Sequence, residues 1–211
     1  MVPKILLVDD HAVVRRGLRQ MLAEEYPRAQ FGEAVDGNEA LSLLDSRAWD
    51  LVLLDVSMPR LSGLDVLKQI RQTLPRTPVL ALSCHPESLY GIRTLRSGAS
   101  GYITKDSAPE VLTRAVKKVL GGGRYVSPAL AERLAEEVAA RDDRPPHHSL
   151  SNREYEILRL LGAGKRVTEI ATELSLSPKT VGTYRTRILE KMRMKTNAQL
   201  MRYALDHGLV E

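Results

Sequence analysis

Short apolar runs and longer half-apolar stretches take turns along the first 120 residues. The runs are "KILLV" (4–8), "AQFGEAV" (29–35), "DLVLLD" (50–55), "TPVLALS" (77–83) and "ASGYITK" (99–105). After each comes a stretch with helical periodicity: "HAVVRRGLRQMLAEE", "GNEALSLLDS", "GLDVLKQIRQTL", "PESLYGIRTLRSG" and "APEVLTRAVKKVLGG". In the first of these, Val13, Val14, Leu18, Met21 and Leu22 are expected on one face. The strands are too apolar to be wetted on either side. Five strand–helix units in strict order therefore predict a doubly wound, five-stranded parallel sheet with helices on both faces. Gly98 and the glycines at 121–123 stand where helices should stop.

After Gly123 the rhythm changes and no further strand is expected. "PALAERLAEEVAAR" (128–141) reads as one amphipathic helix, and "DDRPPHH" (142–148), with two prolines among polar residues, as a linker. The remainder is all helix. Ser151 and Glu154 form a capping box that opens "NREYEILRLLGAG". "VTEIATELS" is a second helix, Ser177 and Pro178 cap and start a third, and "NAQLMRYALDHG" is a fourth. The fold class is α/β then all-α. Its parts are a sheet domain over 1–124, a linker helix and proline-containing loop over 125–148, and a four-helix domain over 149–211.

Composition narrows the function. Hydrophobic residues make up 43% of the 211 positions, which supports packed cores and excludes a disordered chain. Cys84 is the only cysteine, so no internal disulfide framework exists, and a reducing, cytoplasmic setting fits best. No apolar run approaches the roughly 18 residues of a membrane span. Acidic residues within the first ten positions argue against a signal peptide. Net charge is +3 over 1–126, −2 over 127–148 and +4 over 149–211, so the small C-terminal domain is the most basic per residue and leans towards a polyanionic partner. Cys84 reads as a core or near-core thiol, and Trp49 as packing ahead of the third strand. His11, His85 and His207 lack metal-ligand spacing, and His147 and His148 read as solvated linker residues.

The third run ends on Asp55, and "SMPRLSG" then turns the chain away. The first run ends on Asp9 and Asp10. Ligands of doubly wound sheets bind at the carboxyl ends of strands, where strand order reverses. If the first and third strands are neighbours, three carboxylates converge there, and a hard divalent cation relieves their repulsion. Ser83 ends the fourth run and Lys105 the fifth, a hydroxyl and an ammonium suited to phosphate oxygens. A single aspartate after a strand is ordinarily a turn or cap residue, and Asp10 alone would read as a cap for the first helix. Five polar groups on one sheet edge instead point to a phosphoryl acceptor held with Mg²⁺. In that reading the turn after Asp55 leaves its carboxylate open to a donor.

These residues resemble the receiver domain of two-component response regulators over roughly residues 3–121. The match lies in Asp9-Asp10, in the D-x-x-M-P run from Asp55 to Pro59, in Ser83 and in Lys105. The resemblance implies that Asp55 accepts a phosphoryl group from a sensor histidine kinase. It implies that Asp9, Asp10, Asp55 and the backbone carbonyl of Ser57 hold Mg²⁺, and that Ser83 and Lys105 bind the phosphoryl oxygens. It makes Tyr102 the aromatic switch that turns inward when Ser83 moves, and it places His85 beside the site. Asp106 stands where many receivers have a proline.

"TEIATELSLSPKTVGTYRTRILEKM" (168–192) is organised as a helix-turn-helix, with Lys179, Thr180, Thr183, Thr186 and Arg187 on the outer face of its second helix. Short polar and basic side chains near the start of such a helix suit the major groove of double-stranded DNA. The C-terminal segment resembles the LuxR-type DNA-binding domain of the NarL/FixJ subfamily. The markers are Leu150 to Glu154, Glu169 to Ala171 and Ser177 to Val181. The resemblance implies that the third helix reads DNA and that the helix starting at Asn197 pairs two domains into a homodimer on phosphorylation. Gly182 stands where relatives often carry a longer polar residue.

The expectation is a phosphorylation-dependent DNA-binding transcriptional regulator with no membrane partner, not an enzyme beyond its own phosphoryl chemistry. One rival is an aspartyl-phosphate hydrolase of the haloacid dehalogenase type. It would need an acid at position 57, where this chain has Ser57, and it leaves the helical domain without a purpose. Another rival is a constitutive DNA-binding regulator with a structural receiver, against which the intact pocket argues.

Overall fold

A computed structural model describes residues 2–107, 109–139 and 145–210. The described chain forms two compact units that divide between Glu137 and Val138.

The first unit alternates β1 (Lys4–Val8), α1 (Ala12–Glu25), β2 (Gln30–Ala34), α2 (Gly37–Ser46), β3 (Leu51–Asp55), α3 (Gly63–Thr73), β4 (Val79–Ser83), α4 (Glu87–Arg96), β5 (Gly101–Thr104) and α5 (Pro109–Leu120). The strands are parallel in the order β2-β1-β3-β4-β5. All five residues of β3 and all five of β4 are buried, as continuous apolar runs in a sheet covered on both faces require. Ile5, Leu7, Leu51, Leu53, Leu80, Leu82 and Ile103 alternate along their strands to line one face, and Leu18, Leu22, Leu112, Ala115, Val116 and Val119 of α1 and α5 cover it. Strand order reverses between β1 and β3, so their carboxyl ends stand side by side with Val8 opposite Leu54.

One apolar position of α1 departs from expectation. Val13 is 84% exposed, whereas Leu18 and Leu22 are buried and Val14 and Met21 pack against the core. Val13, five residues before Leu18, lies about 140° from it around the helix, so a stripe centred on Leu18 and Leu22 leaves Val13 outside. Trp49 does pack ahead of β3. It is 5% exposed, its Nε1 donates to the Leu43 carbonyl at 3.0 Å, and its ring lies where a side chain on Gly32 would stand. Gly98 and Gly122 end their helices at φ of 100° and 82°. Helix α6 (Pro128–Ala139) packs on α4. Leu130 is fully buried against Gly91, and Ser127 Oγ donates to Glu87 at 2.7 Å.

The second unit holds a 3₁₀ turn (Pro146–Ser149), α7 (Asn152–Gly162), α8 (Val167–Glu173), α9 (Pro178–Lys191) and α10 (Asn197–Asp206). The capping box of α7 forms: Glu154 Oε2 accepts from Ser151 N at 2.7 Å, and Ser151 Oγ accepts from Glu154 N at 3.3 Å. Ile157, Leu158, Ile170, Val181, Ile188, Leu200 and Ala204 are fully buried and make its core. Residues 140–144 of the expected linker, including the last two of its expected helix, lie outside the described residues. His147 and His148 are not fully solvated. They belong to the 3₁₀ turn and are half-buried, and His147 Nδ1 meets the Tyr203 hydroxyl at 2.8 Å. The edge-on contact of His147 with Tyr203 and His207 of the α10 end is what the prolines and polar neighbours of the sequence do not show.

Candidate phosphoacceptor pocket and DNA-reading helix

The reversal in strand order brings the predicted carboxylates together. Asp9, at the end of β1, is fully buried, and Asp55, at the end of β3, is 1% exposed. Lys105, just after β5, reaches across both: its Nζ lies 2.8 Å from Asp55 Oδ2 and 2.6 Å from Asp9 Oδ2. Asp55 Oδ1 accepts from Ser57 N at 2.9 Å, so the turn after β3 fixes the carboxylate. Asp55 is thus covered rather than open as expected, because the lysine lies across it. Burial raises the Asp55 pKa above its ordinary value even though Lys105 opposes the shift. Burial pulls the Lys105 pKa down, but the two carboxylates outweigh it and leave it raised.

The donor set fits a hard cation. Asp9, Asp10, His11 and Asp55 each offer an atom within 4.8 Å of the others. Asp9 Oδ2 is buried and, despite its ion pair with Lys105, lacks an aligned hydrogen-bond donor among the described residues. Asp10 does not cap α1. The cap is His11, whose backbone N–H is taken by Asp9 Oδ1 at 2.8 Å. Against the spacing argument, the His11 ring belongs to this cluster, with Nδ1 3.2 Å from Asp9 Oδ1 and 3.0 Å from Asp10 Oδ1. Adjacency to Asp9-Asp10 was its one sequence signal. Arg15 is a second residue that sequence reasoning missed. It is 9% exposed, donates from Nη1 to the Asp9 carbonyl at 2.6 Å, and pairs through Nε with Glu33. An arginine on the stripe of Leu18 and Leu22 was the visible sign.

Ser83 ends β4 fully buried, and its Oγ accepts from His85 N at 3.0 Å. Tyr102 is 1% exposed, so its ring already lies inward, and its hydroxyl donates to the His85 carbonyl at 2.8 Å. The β4–α4 loop is thereby held from two sides, by Ser83 and by Tyr102. Cys84 is exposed, not in the core, because Ser83 is the last residue of the strand and Cys84 falls in the turn.

In the second unit, α8 and α9 form the predicted helix-turn-helix. Ser175 between them takes a left-handed φ of 53°. Lys179, Thr183, Thr186 and Arg187 are exposed on α9, and Thr180 is half-buried in the cap, its Oγ1 2.7 Å from Ser177 Oγ. Thr183 and Thr186 donate their hydroxyls to the carbonyls of Lys179 and Gly182, which leaves their methyl groups and lone pairs outward. A Cβ at Gly182 would meet nothing within 4 Å. Burial raises the Glu154 pKa, but Lys191 at 2.6 Å and Ser151 overrule it, so the net shift is downward. This ion pair ties α9 to the start of α7. Among the described residues no helix is long and apolar enough to cross a membrane.

Comparison with known proteins covers both units. Residues 5–117 match "Response regulator receiver domain", and residues 148–204 match "Bacterial regulatory proteins, luxR family". The chain is 34% identical over 206 residues to the response regulator UvrY of Escherichia coli K12, covering 97% of this chain and 94% of that protein. It is 36% identical over 209 residues to the response regulator GacA of Pseudomonas aeruginosa, covering 99% and 98%. Among solved structures, RcsB of Salmonella enterica serovar Typhimurium bound to promoter P1flhDC in the presence of the phosphomimetic BeF3⁻ superposes with a TM-score of 0.60 at 26% identity, over 99% of this chain and all of that one.

Proposed function

The chain belongs to the two-component response regulators that join a receiver domain to a LuxR-type DNA-binding domain, and on that premise we propose that phosphorylation of Asp55 controls its binding to DNA. Such a protein is a transcription regulator rather than a conventional enzyme. The observation that carries the proposal is the placement of Asp55, fixed by Ser57 N–H on one oxygen and by Lys105 on the other.

Asp55 is the phosphoacceptor. One of its carboxylate oxygens attacks the phosphorus of a phosphohistidine on a sensor kinase. The P–N bond breaks, the imidazole leaves, and an acyl phosphate forms on Asp55. Lys105 must first swing off the Asp55 oxygen, and its ammonium then offsets charge on the arriving phosphoryl oxygens. Asp9, Asp10, Asp55 and the Ser57 carbonyl would hold Mg²⁺, which when bound supplies further positive charge to the phosphoryl oxygens. Ser83 exchanges its bond from His85 N for one to a phosphoryl oxygen. That releases one of the two ties on the β4–α4 loop, and Tyr102 keeps the other.

Downstream, Lys179, Thr180, Thr183, Thr186 and Arg187 face the major groove of double-stranded DNA. A pair of domains joins through α10, where Met201 and Leu205 are 36% and 62% exposed. Two linked half-sites bind far more tightly than one, so dimerisation sets occupancy. RcsB, at 25% identity over 97% of this chain, has been solved as two dimers on two parallel DNAs, which supports the reading. A lone cysteine and the absence of long apolar helices among the described residues favour a cytoplasmic location.

Selection from a randomised DNA pool, with and without beryllium fluoride and Mg²⁺, tests the proposal. A single sequence class should enrich with the phosphoryl mimic and fade without it, and light scattering should report a dimer only with it. Equal enrichment in both arms would favour the constitutive regulator. Unchanged affinity in a Lys179→Ala/Arg187→Ala double variant would show that another surface reads DNA.

A further inference from the structure

We infer that His11 is a nitrogen ligand in the acidic pocket and biases it towards first-row transition cations over Mg²⁺. The inference rests on the reading that Asp9, Asp10 and Asp55 hold a divalent cation. It adds a fourth side chain and a selectivity.

The geometry is specific to this residue. His11 Nδ1 stands 3.2 Å from Asp9 Oδ1 and 3.0 Å from Asp10 Oδ1, nearly equidistant from two acceptors on different side chains. One N–H serves one acceptor well. A protonated ring can hold both contacts, and the same distances fit a shared cation, because ligands at right angles with bonds of about 2.1 Å stand about 3 Å apart and all four ligand atoms lie within 4.8 Å of one another. Asp9 Oδ1 already accepts from His11 N at 2.8 Å, which leaves its second lone pair for this shared position. A second observation points the same way: buried Asp9 Oδ2, in the same cluster, is met by the Lys105 ammonium at 2.6 Å, which Asp55 shares, and has no aligned hydrogen-bond donor among the described residues. The ring is not needed where it is for folding. His11 caps α1 without a side-chain hydrogen bond to the helix, and its side chain is 64% exposed.

The chemistry of the donor sets the expected preference. Three carboxylates and a carbonyl suit Mg²⁺, which takes oxygen and holds its waters. An imidazole adds little for Mg²⁺ but strengthens binding of Mn²⁺ and, more so, Co²⁺, in the order set by ligand-field and covalent terms. An imidazole in the pocket therefore raises the affinity for Co²⁺ more than for Mg²⁺.

The test uses the full-length protein with Mn²⁺ as the probe. Pulsed electron paramagnetic resonance of the bound Mn²⁺ should show modulation from a directly coordinated ¹⁴N in the wild type and none in His11→Ala or His11→Asn. Displacement of Mn²⁺ should show the Co²⁺ affinity of both variants falling about tenfold while Mg²⁺ affinity stays within twofold. Asp10→Ala should weaken all three cations, which reports on the carboxylate site itself. Nitrogen modulation that persists in His11→Ala would place the nitrogen on another histidine and overturn the inference. So would a wild-type spectrum without it, or equal loss of Co²⁺ and Mg²⁺. Wild-type protein that binds all three cations without nitrogen coupling refutes His11 alone, whereas protein that binds none refutes the cation site as well.

Discussion

Gly63 gives a sharp link between packing and phosphorylation. It opens α3, and an added Cβ would fall 1.9 Å from the carbonyl oxygen of Asp55 and 2.8 Å from the Cα of Val56. Real Cβ contacts essentially never fall below 3.0 Å, and both obstacles are backbone, so Gly63→Ala must push the end of β3 and the start of α3 apart by about 1 Å. Neither side yields easily. β3 is buried along its length, and Leu64, Val66, Leu67 and Ile70 anchor α3. Overpacking of this kind costs about 1–3 kcal/mol, and we expect the upper half of that range because no flexible side chain absorbs the strain. For a domain of this size that lowers the melting temperature of the first unit by roughly 8–12 °C. Asp55 moves with the strand, and misplacement of a reacting atom by about 1 Å slows a reaction by about a hundredfold. The assays are differential scanning calorimetry and the rate of labelling by acetyl phosphate with Mg²⁺. Wild-type melting together with a wild-type labelling rate would refute the claim that the α3 start sets the position of Asp55.

Three further outcomes follow from the same structure. The Asp55 pKa is raised by burial, so its favourable contribution is full below the ordinary value of 3.8 and is lost as pH rises through the raised one. Asp55→Asn should therefore melt higher than wild type at pH 7 without divalent cations, with the gap closing towards pH 4, and a gap that widens in acid would contradict this. The Glu154 pKa is lowered, so its ion pair stabilises above 4.5 and is lost as pH falls through the lowered value. Glu154→Gln should thus cost the second unit stability at pH 7 and progressively less as pH falls below 4.5, read by circular dichroism melts across that range. Ser175→Gly should stabilise the second unit by about 0.5–1 kcal/mol in urea unfolding, since glycine relieves the left-handed φ at the turn, partly offset by greater freedom when unfolded.

The strands, their parallel arrangement and the pocket were legible because burial on both faces writes itself as uninterrupted apolar runs. The residue that ends each run then falls on one edge of the sheet. Asp9, Asp55, Ser83 and Lys105 were found that way. Helix faces were less legible where β-branched residues crowd, as at Val13, because a run of two valines fits either side of the stripe. Cys84 was misplaced because composition says a lone cysteine is commonly buried, whereas position in the turn after Ser83 decides its exposure. His147 and His148 looked solvated because nothing local in a Pro-His-His segment encodes Tyr203, 56 residues away from His147. Arg15 and His11 act through contacts that linear spacing does not carry: a guanidinium reaching back to a strand carbonyl, and a ring folded onto its own neighbours.

The most direct test of the account is where the phosphoryl group goes. Full-length protein is incubated with acetyl phosphate and Mg²⁺, trapped with borohydride, digested, and mapped by mass spectrometry. The expected result is one modified residue, Asp55, with no modification in Asp55→Asn protein that still melts cooperatively. Modification at Asp9 or Asp10, or undiminished labelling of the folded Asp55→Asn protein, would contradict the assignment of Asp55 as the residue through which the regulator is switched.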